Sequence, residues 1–177
     1  MTRSCWAALL ILALAGCSTA PTSSPAAGSA AAGPSGGDTR NVGISRLTGI
    51  NPTDKAAAGI DIAFDERAAG ALLTPLQAGI DFTLNGVLCL SIGERATGGW
   101  AVTIQSIQIV DGAMQIAARE TEPRGIGTGP PSYPADCVLV PRADLPAGDL
   151  PAVATDVTSD EFIVDGRLSV PAPASAP

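Results

Sequence analysis

The sequence contains no histidine among its 177 residues. Catalytic triads and dyads that use histidine as a general base are therefore excluded, and the commonest zinc ligand is missing. Only carboxylate chemistry remains open, and no spacing in the chain selects two carboxylates as partners. The carboxylates considered are Asp61, Asp65, Asp81 and Glu94. We predict a protein that is not an enzyme, with no metal and no cofactor.

Two of these carboxylates have simpler roles. Asp81 stands just before an apolar run, where an aspartate typically begins or caps a strand. Glu94 is followed by Arg95, and we predict that the two form a solvated pair at the rim of a loop.

Basic residues are also few. The chain has 10 lysines and arginines against 17 aspartates and glutamates, which gives a formal net charge of −7. The basic residues form no stripe, and binding to nucleic acid requires clustered positive charge opposite the phosphates. Nucleic acid is therefore excluded as the expected partner, and the acidic surface is expected to keep the domain soluble.

Long apolar runs are absent except near the amino terminus, where Trp6–Ala15 follows Arg3. Ten apolar residues are too few for a permanent membrane span but suit the middle of a secretory signal. The run ends in Leu14-Ala15-Gly16-Cys17, which resembles the bacterial lipobox. This resemblance implies cleavage after residue 16 and acylation of Cys17, so that the protein is attached to the membrane through an N-terminal lipid.

Residues 17–39 are rich in Gly, Ser, Ala and Pro and lack large apolar side chains, so we predict a disordered tether. Residues 171–177 have a similar composition and are predicted to form a disordered tail. One folded domain is therefore expected over residues 40–170. Ser18 follows the lipidated cysteine where an aspartate would retain the protein at the inner membrane. We therefore expect a lipid-anchored envelope protein in the outer membrane of a Gram-negative cell, facing the periplasm or the cell surface.

Cysteine is scarce, and its positions are informative. Of four cysteines, Cys5 leaves with the signal and Cys17 receives the lipid, so Cys89 and Cys137 remain as a pair in an oxidising compartment. Both lie within apolar, strand-like runs. We favour a disulfide between them, and the alternative is two unpaired thiols that pack as small hydrophobic groups.

The remaining pattern is that of a β protein. Alternating or apolar runs predict strands over 59–65, 86–93, 100–110, 113–121 and 135–141, with weak strand character over 42–50. The spacing of leucines and alanines from Glu66 to Gln77 predicts one short helix, which ends or bends by Thr74 because Pro75 lies inside the pattern. A slip in the alternation predicts a bulge at Gln105-Ser106. The fold class is mainly β, a small antiparallel sandwich or partly open barrel with one short helix.

Asp-Gly pairs mark the predicted hairpins. Asp111-Gly112 joins two alternating strands, and Asp165-Gly166 is predicted to turn the strand "EFIV" into "RLSV".

The middle of the chain resembles the PrcB C-terminal domain family. The stretches that carry the resemblance are "DF" at 81, "LCLSIGERATGGW", the Asp111-Gly112 hairpin, "ETEPRG" and "SYPADCVLVPR". Together they extend from about residue 66 to residue 142, and the sequence departs from the family pattern at Ala96, where proline is usual, and at Trp100, where tyrosine is usual. The resemblance implies a lipoprotein that supports an exported partner, such as the catalytic subunit of a surface protease.

The turn Thr97-Gly98-Gly99-Trp100 is the candidate partner-binding loop. Trp100 could fold back as a lid on a core that is poor in aromatic residues, or it could project as an interface anchor. For Trp100 alone we favour the packing role. We predict the partner-binding role mainly for Thr97-Gly98-Gly99, because a loop does not need this sequence merely to connect two strands.

Two functional hypotheses follow. The first is a non-catalytic, lipid-anchored binding module that stabilises or localises an exported protein, with a protease as the favoured partner. The alternative is a peptidase inhibitor, because Thr-Gly-Gly-Trp is similar to the Thr-Thr-Gly-aromatic loop of chagasin-type inhibitors of cysteine proteases.

Overall fold

The computed structural model describes residues 38–125 and 129–172 of the chain. The predicted signal peptide, Cys17, nearly all of the predicted tether, residues 173–177 of the predicted tail and part of the glycine-rich loop at 125–129 lie outside these residues. Thr39 opens the first strand, one residue before the predicted start of the domain. Within the described residues, no helix has the length and apolar character needed to cross a membrane.

The domain is mainly β with one short helix, as predicted. The strands are β1 (Thr39–Val42), β2 (Ser45–Arg46), β3 (Asn51–Pro52), β4 (Ala58–Ala63), β5 (Leu73–Thr74), β6 (Asn85–Ile92), β7 (Ala101–Val110), β8 (Ala113–Thr121), β9 (Ala135–Pro141), β10 (Gly148–Asp156) and β11 (Phe162–Val170). The helix α1 spans Glu66–Leu72, and its first turn is capped by the Asp65 carboxylate, which accepts a hydrogen bond from the Ala68 N–H at 2.8 Å.

Two sheets face each other in a sandwich-like arrangement that does not close into a barrel. One sheet has the strand order β1-β7-β8-β10-β11, and the other has the order β2-β9-β6-β4; β3 and β5 form a separate short pair. Among the described residues, all strand pairs are antiparallel except β8 and β10, which run parallel. The chain reaches β10 from β8 by way of β9, which lies in the opposite sheet.

The main core between the sheets is aliphatic. Its fully buried members include Leu88 and Leu90 of β6, Ile104 of β7 and Ile116 of β8. No aromatic residue of the described segments is among the buried residues of this core. Phe64, which is partly buried, packs against this core from outside.

Strand β6 is buried on both faces, which explains why it is almost continuously apolar. Leu88 and Leu90 point toward the main core, whereas Val87 and Cys89 belong to a second cluster that includes Ala69 of helix α1. Because helix α1 covers the outer face of this sheet, β6 lacks the alternation of apolar and polar residues that a half-exposed strand would show.

Cys89 and Cys137 are direct partners in the register of β6 and β9. Their Cα atoms are 4.1 Å apart and their sulfur atoms are 2.05 Å apart, so the two residues form a disulfide. The disulfide links positions that are 48 residues apart in the sequence. The structure thus shows the adjacency that the sequence could not show.

The strand predictions are confirmed for β4, β6, β7, β8 and β9, and the predicted bulge lies in β7 between Ile104 and Ser106. The Asp111-Gly112 turn is also confirmed, with φ of 51° and 76° at the two residues.

The hairpin predicted at Asp165-Gly166 is wrong. Strand β11 runs through both residues without a turn, and Gly166 pairs with Ala152 of β10. The turn lies earlier, between Asp156 and Phe162. There the Asp156 side chain and a positive φ of 57° at Asp160 supply the turn geometry.

Candidate functional site

Three connections meet at one end of the sandwich. They are the β6–β7 turn that contains Trp100, the β8–β9 loop after Thr121, and the β10–β11 turn after Asp156. The strands that they join lie in both sheets, so this end is built from parts of the chain that are distant in sequence.

The β6–β7 turn is held against the β8–β9 loop. Arg95 and Ser132 exchange two backbone hydrogen bonds of 2.8 and 3.0 Å, and the Ser132 hydroxyl donates to the Thr97 carbonyl at 2.8 Å. Gly99 has φ of 90°, and a Cβ atom at this position would lie 2.9 Å from the Cβ of Pro123. The glycine at position 99 is therefore explained by backbone conformation and close packing, without any partner.

Replacing Gly99 by alanine should destabilise the domain by about 1–3 kcal/mol, because it adds both the strain of a positive φ and a steric contact with Pro123. Gly98→Ala is the matched control, since its Cβ would meet only the Pro130 carbonyl oxygen at an ordinary 3.7 Å. Urea unfolding of both variants measures the difference. Equal stability of the two variants would contradict this account of the turn.

Arg95 is the central residue of the turn. Its Nε and Nη2 donate to Oε1 of Glu120 at 3.0 and 2.7 Å, and its Nη1 donates to the Ile92 carbonyl at 2.9 Å. The guanidinium carbon lies 5.4 Å from the centroid of the Trp100 ring, a cation–π contact. The predicted pairing of Arg95 with Glu94 is therefore wrong, because Arg95 reaches across to β8. Glu94 instead accepts a long hydrogen bond of 3.5 Å from the Tyr133 hydroxyl.

Trp100 is half-buried and belongs to neither core cluster of the described residues. Its ring packs under Arg95 at the end of the sandwich instead of covering the aliphatic core. The favoured lid role therefore does not describe its position, although its contact with Arg95 is a packing contact.

A cleft of about 500 Å³, which we call the Trp100 groove, lies beside this ring. It is lined by Arg95, Trp100, Glu120, Glu122, Asp156, Thr158, Ser159, Glu161, Phe162 and Ile163. Phe162, the first residue of β11, is 63% exposed, and Val157, in the β10–β11 turn, is 39% exposed. A groove with an exposed phenylalanine and a half-exposed tryptophan has the composition of a binding surface, because aromatic residues supply much of the energy at protein interfaces.

Asp156 shapes one wall of the groove. Its carboxylate accepts hydrogen bonds from the backbone N–H groups of Glu120 at 2.7 Å, Thr158 at 2.7 Å and Ser159 at 3.0 Å. The Glu120 N–H, followed by that of Thr158, holds the pKa of Asp156 below its ordinary value. Asp156 thus ties the β10–β11 turn to β8 and fixes the position of the residues that follow it, including Phe162.

A second cleft of about 790 Å³ lies at the opposite end of β6. Its lining includes Phe64, Phe82, Leu84 and Arg142. The Arg142 guanidinium stacks over the Phe64 ring, and its Nη1 donates to the Phe82 carbonyl at 3.1 Å. The guanidinium group of Arg142 is thus engaged by the domain itself.

The carboxylates considered for catalysis do not form a cluster. Asp61 binds Lys55 at 2.5 Å, Asp65 caps helix α1, and Asp81 accepts from Thr83 in the turn before β6. The Thr83 hydroxyl, followed by its N–H, lowers the pKa of Asp81. Among the described residues, no group of three acidic or cysteine side chains is placed to hold a metal ion.

Residues 87–141 match the family described as PrcB C-terminal. This match supports the resemblance to the PrcB C-terminal family. The family prediction is confirmed, over a segment shorter than the one on which the resemblance was based. No curated protein and no solved structure matches the chain.

The matched segment covers β6 from residue 87 and all of β7, β8 and β9. It therefore includes the Trp100 turn, the Arg95–Glu120 pair and both cysteines of the disulfide. The β10–β11 turn lies outside it. The Trp100 groove thus has one wall within the PrcB C-terminal segment and another, with Asp156 and Phe162, contributed by the chain that follows it.

Proposed function

We propose that the protein is a non-catalytic, lipid-anchored binding module that stabilises or localises an exported partner protein at the cell envelope. The Trp100 groove is the surface that contacts this partner. The anchor is the lipid expected on Cys17, and the expected site is the outer membrane.

The observation that carries this proposal is the exposure of Phe162 beside Trp100. Phe162 is 63% exposed although it stands at the beginning of a strand in a domain with an aliphatic core. Hydrophobic residues scattered singly over a surface need no explanation, but here Phe162, Val157 and Trp100 lie at one end of the domain. The family resemblance adds that the partner is an exported protein, with a protease as the favoured candidate.

The experiment that tests the proposal is affinity recovery of the full-length protein from detergent-solubilised membranes of its native cell. Three forms are compared: the natural protein, Phe162→Ser and Leu84→Ser. Leu84 is the matched control, because it is 64% exposed but lies in the other cleft. We expect the natural protein and Leu84→Ser to recover the same partner, and Phe162→Ser to recover at least about tenfold less, as for loss of an interface anchor.

Two outcomes would contradict the proposal. One is recovery of the natural protein alone under mild solubilisation, and the other is equal recovery of the partner by all three forms. Deletion of the protein should also lower the abundance of the recovered partner.

The alternative function, inhibition of a papain-like protease, requires the Thr97-Gly98-Gly99 turn to enter an active-site cleft. Thr97 and Gly98 are half-buried, and the turn is hydrogen-bonded to Ser132, so its backbone is held against the domain. Titration of papain with the purified protein distinguishes the two functions. Inhibition at micromolar concentration that Gly98→Ala, the variant expected to keep the fold, weakens would favour the inhibitor.

A further inference from the structure

Two carboxylates of the Trp100 groove are not used by the contacts that hold the domain together. Glu120 is bound by Arg95, and Asp156 is bound by three backbone N–H groups. Glu122 and Glu161 are exposed, and their carboxylates make no hydrogen bond or ion pair within the described residues. They belong to different connections, at the end of β8 and at the start of β11, so the fold brings them to one groove from distant parts of the chain.

The charge of the groove is strongly unbalanced. Its lining includes four carboxylates and a single cation, Arg95, whose charge is matched by Glu120. The groove therefore has an excess of negative charge next to the exposed ring of Phe162. Carboxylates at the edge of an aromatic surface attract a guanidinium or ammonium group, which also binds favourably over an aromatic ring.

We propose that the Trp100 groove binds a basic segment of the partner protein, with an arginine or lysine side chain between Glu122 and Glu161 and an apolar neighbour on Phe162. This inference rests on the proposed function and specifies the chemistry of the partner. An anionic lipid surface is the less suitable occupant of the same aromatic patch, because the carboxylates repel it.

The direct test uses the full-length protein and two fluorescent pentapeptides, Gly-Arg-Leu-Arg-Gly and Gly-Glu-Leu-Glu-Gly. Binding is measured by fluorescence anisotropy, with protein up to about 1 mM because a short peptide is a weak ligand. We expect the arginine peptide alone to bind, and its affinity to fall as salt rises from about 20 to 300 mM. Equal binding of the two peptides, or no binding of the arginine peptide, would overturn the proposal.

The decisive variant is Glu122→Gln with Glu161→Gln, which removes two charges and keeps the size of each side chain. The matched control is Glu66→Gln with Asp149→Asn, which removes two exposed carboxylates outside the groove. We expect the groove variant to weaken binding of the arginine peptide by at least about tenfold, and the control to change it by less than about twofold. If both variants weaken peptide binding equally, the effect comes from the net charge of the protein and not from the groove, and the proposal is overturned.

The partner identified by affinity recovery separates this inference from the proposed function. If Phe162→Ser loses the partner while the Glu122→Gln/Glu161→Gln variant retains it at high and low salt, the binding module stands and the basic segment is wrong. If the natural protein recovers no partner, the proposed function itself fails.

Two further measurements test whether the groove binds a different occupant. In one, the Cys17→Ala protein is sedimented with vesicles of phosphatidylcholine and phosphatidylglycerol. If it binds the vesicles and the same protein with Phe162→Ser does not, the groove binds a membrane surface. A dimer in analytical ultracentrifugation that Phe162→Ser dissociates would identify a second copy of the chain. Either result would overturn the proposal.

Discussion

Replacing both Cys89 and Cys137 by alanine should lower the free energy of unfolding by about 3–4 kcal/mol, a large part of the stability of a small domain. The disulfide closes a separation of 48 residues, so its loss releases a large loop in the unfolded chain. Both cysteines are buried, at 6% and 2% exposure, and they connect the two central strands of their sheet. Urea unfolding at neutral pH, under non-reducing conditions, measures the loss.

A reductant separates the effect of the disulfide from the effect of the lost sulfur atoms. Dithiothreitol should destabilise the natural protein toward the level of the double variant and leave the variant itself unchanged. If the double variant lies within about 1 kcal/mol of the natural protein, the bond contributes little and the two thiols act only as buried hydrophobic groups.

The elements that the sequence predicts well are those whose pattern is local. Asp111-Gly112 forms its turn because both residues adopt a positive φ between two strands that alternate on either side. Asp165-Gly166 is the same pair of residue types, but it lies within β11 and forms no turn. A Cβ atom at Gly166 would meet the Ile60 carbonyl oxygen of β4 at an ordinary 3.8 Å, so neither a turn nor close packing requires this glycine. A glycine in the interior of a strand is indistinguishable, in sequence, from a glycine that is needed for a turn.

The real β10–β11 turn depends on a side chain. The cluster Asp156, Thr158, Ser159 and Asp160 has the composition of a turn, because short polar side chains accept hydrogen bonds from the backbone that follows them. That signal was present in the sequence and was missed in favour of the Asp-Gly pair. The parallel pairing of β8 with β10 had no comparable signal, since it requires a passage through the other sheet.

The candidate site was predicted only in part. The turn around Trp100 was identified from its own residues, whereas its contacts come from elsewhere: Glu120 from β8, Ser132 from the β8–β9 loop and Phe162 from β11. No local pattern predicts that these segments meet. The prediction that Thr97-Gly98-Gly99 binds the partner is weakened, because the contact with Pro123 already explains Gly99. The exposed aromatic surface lies instead on Phe162.

Replacing Asp156 by alanine should lower the free energy of unfolding by about 3 kcal/mol at neutral pH. Asp156 is 7% exposed, and removal of its carboxylate leaves the backbone N–H groups of Glu120, Thr158 and Ser159 without their acceptor. Asp156→Asn retains one acceptor oxygen and should lose roughly half as much. Glu161→Ala, an exposed change in the same turn, should stay within about 0.5 kcal/mol and serves as the control.

The pH dependence of these variants distinguishes the charged hydrogen bonds from simple packing. The hydrogen bonds from Glu120 and Thr158 lower the folded-state pKa of Asp156 below its ordinary value of 3.8. The stabilisation is therefore fully present above about pH 3.8 and is lost as the pH falls through the lower folded-state pKa. Asparagine does not titrate, so the stability difference between the natural protein and Asp156→Asn should shrink in that range. Urea unfolding from pH 7 down to about pH 2.5 measures it. A difference that stays constant over the whole range would mean that Asp156 acts through its shape and not through its charge.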